Sequence, residues 1–547
     1  MNLLLAVRNL IVRLLRRRPE YVWVEVWGSL PGFSHRTGLL RRRFRPSPEP
    51  PSLEEIRRRM VAAAGRGTGV LLRVGELSAG SARLEELRQE IVSFREKGGR
   101  VMAYMESVDS RSYYLACAAE KIFCPPSATV AVIGLRTRVN FLKDALDRIG
   151  VGVEVLAVSP YKSAGDIFTR NDFSREAREQ AERLIERRYQ ALIGAISRGR
   201  GLPEERVREL IDGAPYSAGC AAELGLIDGA CYEDELPGIL GVRSRDVKDW
   251  SAARRALPRP YRSTRRKRVA LVEISGTITR GRSRKLPVPV PVLGSDQAGS
   301  DSIIRALRTA ERGRSVAAVL LYIDSGGGDA LASDLIWREV DRIRRGKPVV
   351  ALMGDAAASG GYYVCAPASH IVAHSTTLTG SIGVFIARPV AARLYGRAGV
   401  HPVSLERGRH AGIFDESRPP TGEELHVLRD ELHRSYEEFK DRVCRGRNLP
   451  KDDLERIAGG KVWSGVEAYE LGLVDEVGGF REALSKAGSL AGIEGISERD
   501  IVKVREPGGY VGPGEITREA AEILGLIPRV AERVVWAALP YEIVEYW

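Results

Sequence analysis

The chain has 547 residues, more than one ordinary hydrophobic core accommodates, and at ~150 residues per domain it points to two to four domains. Its 44% hydrophobic and 28% charged residues are the composition of a globular protein, which excludes a disordered chain. The net charge of +13 comes from 71 Arg and 13 Lys spread along the whole length, with no basic stripe interleaved with aromatics, so a nucleic-acid partner is not expected.

The chain opens with MNLLLAVRNLIVRLLRRRPEY, in which Arg8 and Arg13 interrupt the apolar run and no small-residue cleavage site follows. It therefore reads neither as a signal peptide nor as a membrane span, which needs ~18 uninterrupted apolar residues. On a helix, Leu3, Val7, Leu10, Ile11, Leu14 and Leu15 share one face, with Asn2, Asn9, Arg13, Arg16 and Arg17 making up the polar remainder. Residues 1–20 are thus expected to lie in an anionic membrane surface, the alternative being a helix packed on the protein's own body. Peripheral membrane association is the expected location, on a side the sequence does not specify.

Next comes a β-rich run, YVWVEVWG (21–28), followed by alternating apolar strands and amphipathic helices. The pattern then starts again. Sliding the chain by 249 residues lays YYLACAAEKIFCPPSATVAVIG (113–134) on YYVCAPASHIVAHSTTLTGSIG (362–383) without a gap. An offset of 247 lays ELGLID (223–228) on ELGLVD (470–475). Two copies of one domain follow: an N-terminal repeat over 21–240, a basic Pro-containing linker over 241–267, and a C-terminal repeat over 268–490. Within each, runs such as VAAVLLYI and KPVVALM alternate with patterns such as ALASDLIWREVDRIRR, which argues for α/β units around a mostly parallel sheet. The Pro-rich stretch 280–300 reads as a mobile rim loop. Residues 491–547 form an extension ending in AERVVWAALPYEIVEYW, a docking segment, an interfacial anchor or a packed terminal helix. The six cysteines lack paired spacing and read as reduced core residues.

The copies differ where chemistry would sit. Ser359, in AAASGGYY, corresponds to Ser110 in SVDSRSYY; Gly326, Gly327 and Gly328 correspond to Leu77, Ser78 and Ala79; Ser381 corresponds to Val132; and Ala411 corresponds to Lys162. The second copy keeps a serine and a glycine loop, the first a lysine. A serine hydroxyl needs a base to take its proton. Of the seven histidines (35, 370, 374, 401, 410, 426 and 433), His370 and His374 follow Ser359 closely, but SHIVAH reads as a strand with no orienting acid, and HxxxH lacks a third metal ligand. Lysine can serve if burial lowers its pKa, whereas arginine cannot. Backbone N–H groups of a glycine tract suit a developing oxyanion, and the absence of a following GKS or GKT weakens a phosphate cradle. Ser110 with Lys162 in the first copy alone is the competing pairing, disfavoured by Asp109, Arg111 and the missing glycines.

Together IDSGGGDALASDLI, GDAAASGGYYVCAPA, TLTGSIGVF and SPYKSAGDIF, in a tandem duplication, resemble the signal peptide peptidase A family in its long form. The resemblance spans residues 60–490 and implies two tandem Clp-protease/crotonase-like domains and a Ser/Lys-dyad serine peptidase without cofactor or metal. It implies Ser359 as nucleophile, Lys162 as general base, Ser381 as the group orienting that lysine, and amides around Gly327, Gly328 and Gly360 as the oxyanion hole. Peptide substrates left in a membrane after secretion, and a homotetramer, are implied with it. The sequence departs from the family in reading Ser325-Gly326-Gly327-Gly328 where the family has Ser-Pro-Gly-Gly, and in lacking the usual N-terminal span. The alternative is a catalytically silent membrane-surface scaffold of the same fold.

Overall fold

The computed structural model describes residues 2–34, 49–261, 263–290 and 294–504, with the strand segments Gly509–Tyr510, Val535–Ala538 and Val544–Tyr546. The chain divides into two compact units, Met1–Arg136 with Ile185–Thr264 and Glu545–Trp547, and Thr137–Leu184 with Arg265–Val544. The segment 137–184, which carries the predicted lysine, therefore belongs with the second repeat.

The first unit is built on an all-parallel sheet in the spatial order Gly229–Ala230, Lys121–Cys124, Val101–Met105, Gly69–Leu77, Tyr21–Gly28, Val247–Asp249. Alternation along YVWVEVWG sends Val22, Val24 and Val26 into the main core, under the helices Leu53–Ala64 and Ser81–Glu96. Tyr21 and Trp23 go to the other face, with Leu71, Met102 and Phe123. Both faces are covered, as a parallel sheet requires.

The second unit repeats this sheet strand for strand: Glu476–Val477, His370–Ala373, Val349–Ala358, Val316–Ser325, Arg268–Ser275, Ile501–Lys503. Each copy thus runs past the sequence match. Val247–Asp249 comes from the basic connector and Ile501–Lys503 from the C-terminal extension, and each closes its sheet at the same edge. The second unit adds an eight-stranded sheet in the order Gly509–Tyr510, Arg284–Val290, Gly294–Gly299, Thr277–Thr279, Gly327–Asp329, Val535–Ala538, Phe385–Val390, Gly152–Ala157.

Two expectations change here. The stretch 280–300 forms an antiparallel pair, Arg284–Val290 with Gly294–Gly299, rather than an irregular loop. Its alternate prolines remove only every second N–H, and the register breaks between Lys285 and Val290. The end of the chain is extended, not helical, at Val535–Ala538 and Val544–Tyr546; residues 511–534 lie outside the described residues.

The N-terminal helix Asn2–Leu15 packs through its polar face. Asn9 donates to Arg259 O at 2.9 Å and accepts from Arg259 N at 3.0 Å, Arg8 donates to Leu257 O at 3.3 Å, and Val12 is buried. Its apolar face points outward, with Leu3 and Leu15 each 78% exposed. No helix of the described residues is long and apolar enough to cross a membrane.

Candidate active site

Strand Val349–Ala358 ends at Ser359, and helix Gly360–Cys365 begins directly after it. So abrupt a reversal holds Ser359 at φ 54, ψ −116, a conformation a non-glycine residue keeps only when its surroundings impose it. They do so here: Ser359 N–H donates to Gly380 O at 2.8 Å and its carbonyl accepts from Tyr363 N. Nothing larger than glycine fits behind it. A Cβ on Gly360 would stand 2.5 Å from Ser333 Oγ and 3.2 Å from Gly327 Cα, and one on Gly361 would stand 2.5 Å from Ser325 O.

Gly327 and Gly328, at φ 106 and 154, form the short strand Gly327–Asp329 beside this turn. A Cβ on Gly328 would lie 2.0 Å from Ile278 O. Gly327 N–H donates to Ser325 Oγ at 3.2 Å, closing a local turn where proline is absent.

Lys162 arrives from the same unit. Strand Gly152–Ala157 runs antiparallel to Phe385–Val390, with Ala157 opposite Phe385, and the next turn brings Lys162 inward. Its side chain is 1% exposed. Nζ stands 2.7 Å from Ser359 Oγ, 2.9 Å from Ser381 Oγ and 3.0 Å from Ser381 O, and no carboxylate among the described residues bonds to it. Burial therefore acts unopposed and holds the ammonium well below lysine's ordinary pKa, since the charged form is the one that loses hydration. Four of the six predicted residues, Lys162, Ser359, Ser381 and Gly360, are drawn into direct or one-residue contact, with Gly327 and Gly328 alongside. The remaining partner of Ser359 Oγ is Gly383 O at 3.5 Å.

The sequence profile of Peptidase family S49 matches residues 93–238 and 341–494, one segment in each repeat. The chain belongs to peptidase family S49. It is similar to the chloroplastic serine protease SPPA of Arabidopsis thaliana, 33% identical over 83% of this chain and 68% of that one. It is also similar to Protease 4 of Haemophilus influenzae, 32% identical over 73% of this chain and 66% of that one, and to Protease 4 of Salmonella typhi, 29% identical over 78% and 69%. This S49 chain spans about two thirds of the length of these relatives, and it is a serine peptidase of their family. A mutant ClpP1 from Listeria monocytogenes aligns with 39% of this chain at 16% identity and a TM-score of 0.25. The fold of the S49 chain rests on its own paired parallel sheets.

Several residues that hold the S49 site went unnoticed in the sequence. Gln180 Oε1 accepts from Val462 N at 2.7 Å while its Nε2 donates to Tyr161 O at 3.2 Å, tying the residue before the lysine to the strand beside Gly380. Ser159 donates to Gly459 O. A Cβ on Gly460 would stand 2.7 Å from Lys162 Cα. The duplication held one signal for this wall, because Gly459 faces Asp212 in the aligned copies. None of the described histidines bonds to Ser359 or Lys162: His370 Nε2 is 2.9 Å from Glu476 Oε2, and His35 is outside the described residues. In the first unit, Ser110 Oγ donates to Gly134 O at 2.9 Å.

Proposed function

We propose that the chain hydrolyses peptide bonds through an acyl-enzyme formed on Ser359, with Lys162 as the base. The observation that carries this reading is a lysine 1% exposed, bonded through Nζ to Ser359 Oγ at 2.7 Å and with no anionic partner among the described residues. Such an amine is neutral over a wider pH range than a free lysine, and its lone pair can accept the serine proton. Ser381 Oγ fixes the amine's direction. Attack by Ser359 Oγ on the scissile carbonyl moves the carbonyl electrons onto oxygen, where the amides of Gly328 and Gly360 receive the charge. Gly327 joins them once it releases Ser325 Oγ. Lys162 then gives its proton to the departing amine, the peptide C–N bond breaks, and water activated by the same amine hydrolyses the ester. No cofactor enters these steps.

We assign as substrates apolar peptides such as remnants of signal peptides, with small or aliphatic residues beside the cut. The outward apolar face of helix Asn2–Leu15, bordered by Arg16, Arg254 and Arg255, suits a peripheral position on an anionic membrane, where such peptides reside. Exposed Val403 and Leu405 offer apolar surface for a homo-oligomer, a tetramer in the family pattern.

The test is hydrolysis of a fluorogenic peptide with an apolar residue before the cut. It compares the wild type, Ser359→Ala, Lys162→Ala and an equimolar mixture of the two variants. Both variants should be inactive, and the mixture should stay inactive because both residues come from one chain. A fully active Ser359→Ala would refute the assignment. Activity regained in the mixture would move the pair to two chains.

A further inference from the structure

The strand Val535–Ala538 lies in the eight-stranded sheet between Gly327–Asp329 and Phe385–Val390, antiparallel to both. On one side Gly327 pairs with Ala538, Gly328 with Ala537 and Asp329 with Trp536; on the other, Phe385 pairs with Trp536 and Ile386 with Val535. These two neighbours are the walls of the candidate active site. Gly327 Cα is 3.2 Å from where a Cβ of Gly360 would stand, next to Ser359, and Phe385 pairs on its far edge with Ala157, five positions before Lys162. Gly327–Asp329 and Phe385–Val390 are not neighbours in this sheet; the chain's own tail fills the lane that separates them.

A protease needs its substrate extended, because only an extended backbone presents one carbonyl at a time to the nucleophile and its amides. Pairing with an open strand edge is the general way a protein holds a peptide so. The lane filled by Val535–Ala538 has the edges for this, one strand carrying the glycine amides and the other leading to the lysine. Its occupant belongs to the same chain, and an intramolecular competitor acts at an effective concentration on the order of millimolar, enough to compete with a free peptide. The occupant also sets two of the smallest residue types, Ala537 and Ala538, in register with Gly328 and Gly327.

Resting on the reading of this site as a peptidase, we propose that Val535–Ala538 is a tethered occupant of the substrate lane, and that a peptide substrate reaches Ser359 by displacing it as a strand antiparallel to Gly327–Asp329. Self-occupancy of this kind competes with substrate. It raises KM by the factor by which the occupied state outweighs the open one and leaves kcat untouched.

The test uses the full chain carrying Ala537→Pro, since proline has no N–H to give and a fixed φ, and weakens a strand paired on both sides. KM for the fluorogenic apolar peptide should fall by about fivefold or more at unchanged kcat. A synthetic peptide of residues 532–541, ERVVWAALPY, should inhibit the variant competitively, and a scrambled peptide should not. A permanent structural strand would give the opposite, lower thermal stability with reduced kcat and no inhibition by the peptide, and that result overturns the proposal. A second measurement does not depend on turnover. In a Ser359→Ala background, fluorescence anisotropy should show a labelled apolar peptide binding more tightly when Ala537→Pro is added. Equal affinities overturn the proposal. If the wild type hydrolyses nothing while this binding difference holds, the peptidase reading fails and the occupancy stands.

Discussion

The two serine turns of this chain occupy the same place in two copies of one sheet, and they have opposite energetic characters. In the first unit Asp109 caps helix Ser110–Ala116, its side chain accepting from Ser112 N at 2.7 Å. Ser110 sits inside that helix, satisfied by Gly134 O. In the second, Ser359 takes the cap position itself, makes no side-chain cap and holds φ 54. The aligned carbonyl, Gly383 O, is at 3.5 Å, and the hydroxyl turns instead to Lys162 Nζ. The relaxed copy shows what the fold alone requires of this position. The strained turn, the glycines behind it and the dehydrated amine are what the second unit adds, each costly to stability. Stability given up at one site and kept in its twin supports the function proposed for that site.

The comparison breaks most sharply at Lys162. Lys162→Met keeps the volume and apolar stem but removes the base, so peptide hydrolysis should fall about 10³-fold or more. The same change should stabilise the fold. The folded-state pKa of Lys162 lies below its ordinary 10.5, so between those two values the unfolded chain binds one more proton than the folded chain. Stability therefore rises with pH through that window and is lowest on its acid side, where the fold holds a charged ammonium out of water that the unfolded chain hydrates. Melting temperatures of the wild type across this range should climb with pH, and those of Lys162→Met should be higher and flatter. In activity the same depressed pKa brings the rising limb of the pH profile down from lysine's ordinary range; a profile that falls from neutral to mildly alkaline pH would contradict it.

Smaller effects sharpen the picture around the amine. Gly360→Ala drives a methyl to 2.5 Å from Ser333 Oγ and against Gly327, displacing the amides aimed at the oxyanion. The expected loss in kcat is about 10²-fold, with KM little changed. Ser381→Ala leaves the Ser381 carbonyl on Lys162 but deletes the 2.9 Å hydroxyl contact. A bond to a group that is transiently charged contributes about 1.5–3 kcal/mol, so kcat should fall about 10- to 100-fold while the pH limb shifts.

How legible this was depended on what kind of information each feature needs. Strand and helix patterns were readable because burial on both faces of a parallel sheet demands continuous apolar runs, as in VAAVLLYI. The meeting of Lys162 with Ser359, 197 positions apart, was suggested only by the mismatch of the copies and the resemblance they carried. The closing strands Val247–Asp249 and Ile501–Lys503 were missed although SRDVK and ERDIVK stand at corresponding ends of the repeats, because three-residue strands carry almost no periodicity. Gln180 was invisible for a different reason. A helix residue that hydrogen-bonds two backbone groups looks, in one sequence, like any polar residue on a helix.

The smallest effect tests the comparison from its silent side. Ser110→Ala deletes a buried hydroxyl that donates to Gly134 O at 2.9 Å, and leaves that carbonyl to find another donor. The cost in stability should be about 1 kcal/mol, read as a modest drop in the denaturant midpoint at unchanged slope. Hydrolysis should stay within about twofold of the wild type, because at that size a loss of folding free energy leaves nearly all molecules native. The paired measurement on Ser359→Ala should reverse the activity reading alone: turnover lost, with a stability cost of the same order, since alanine relieves none of the turn's φ and takes from the buried Lys162 Nζ its 2.7 Å partner. If Ser110→Ala abolished turnover and Ser359→Ala did not, the strained turn would be the structural one and the relaxed turn the reactive one, and the division of labour drawn from the two copies would have to be exchanged.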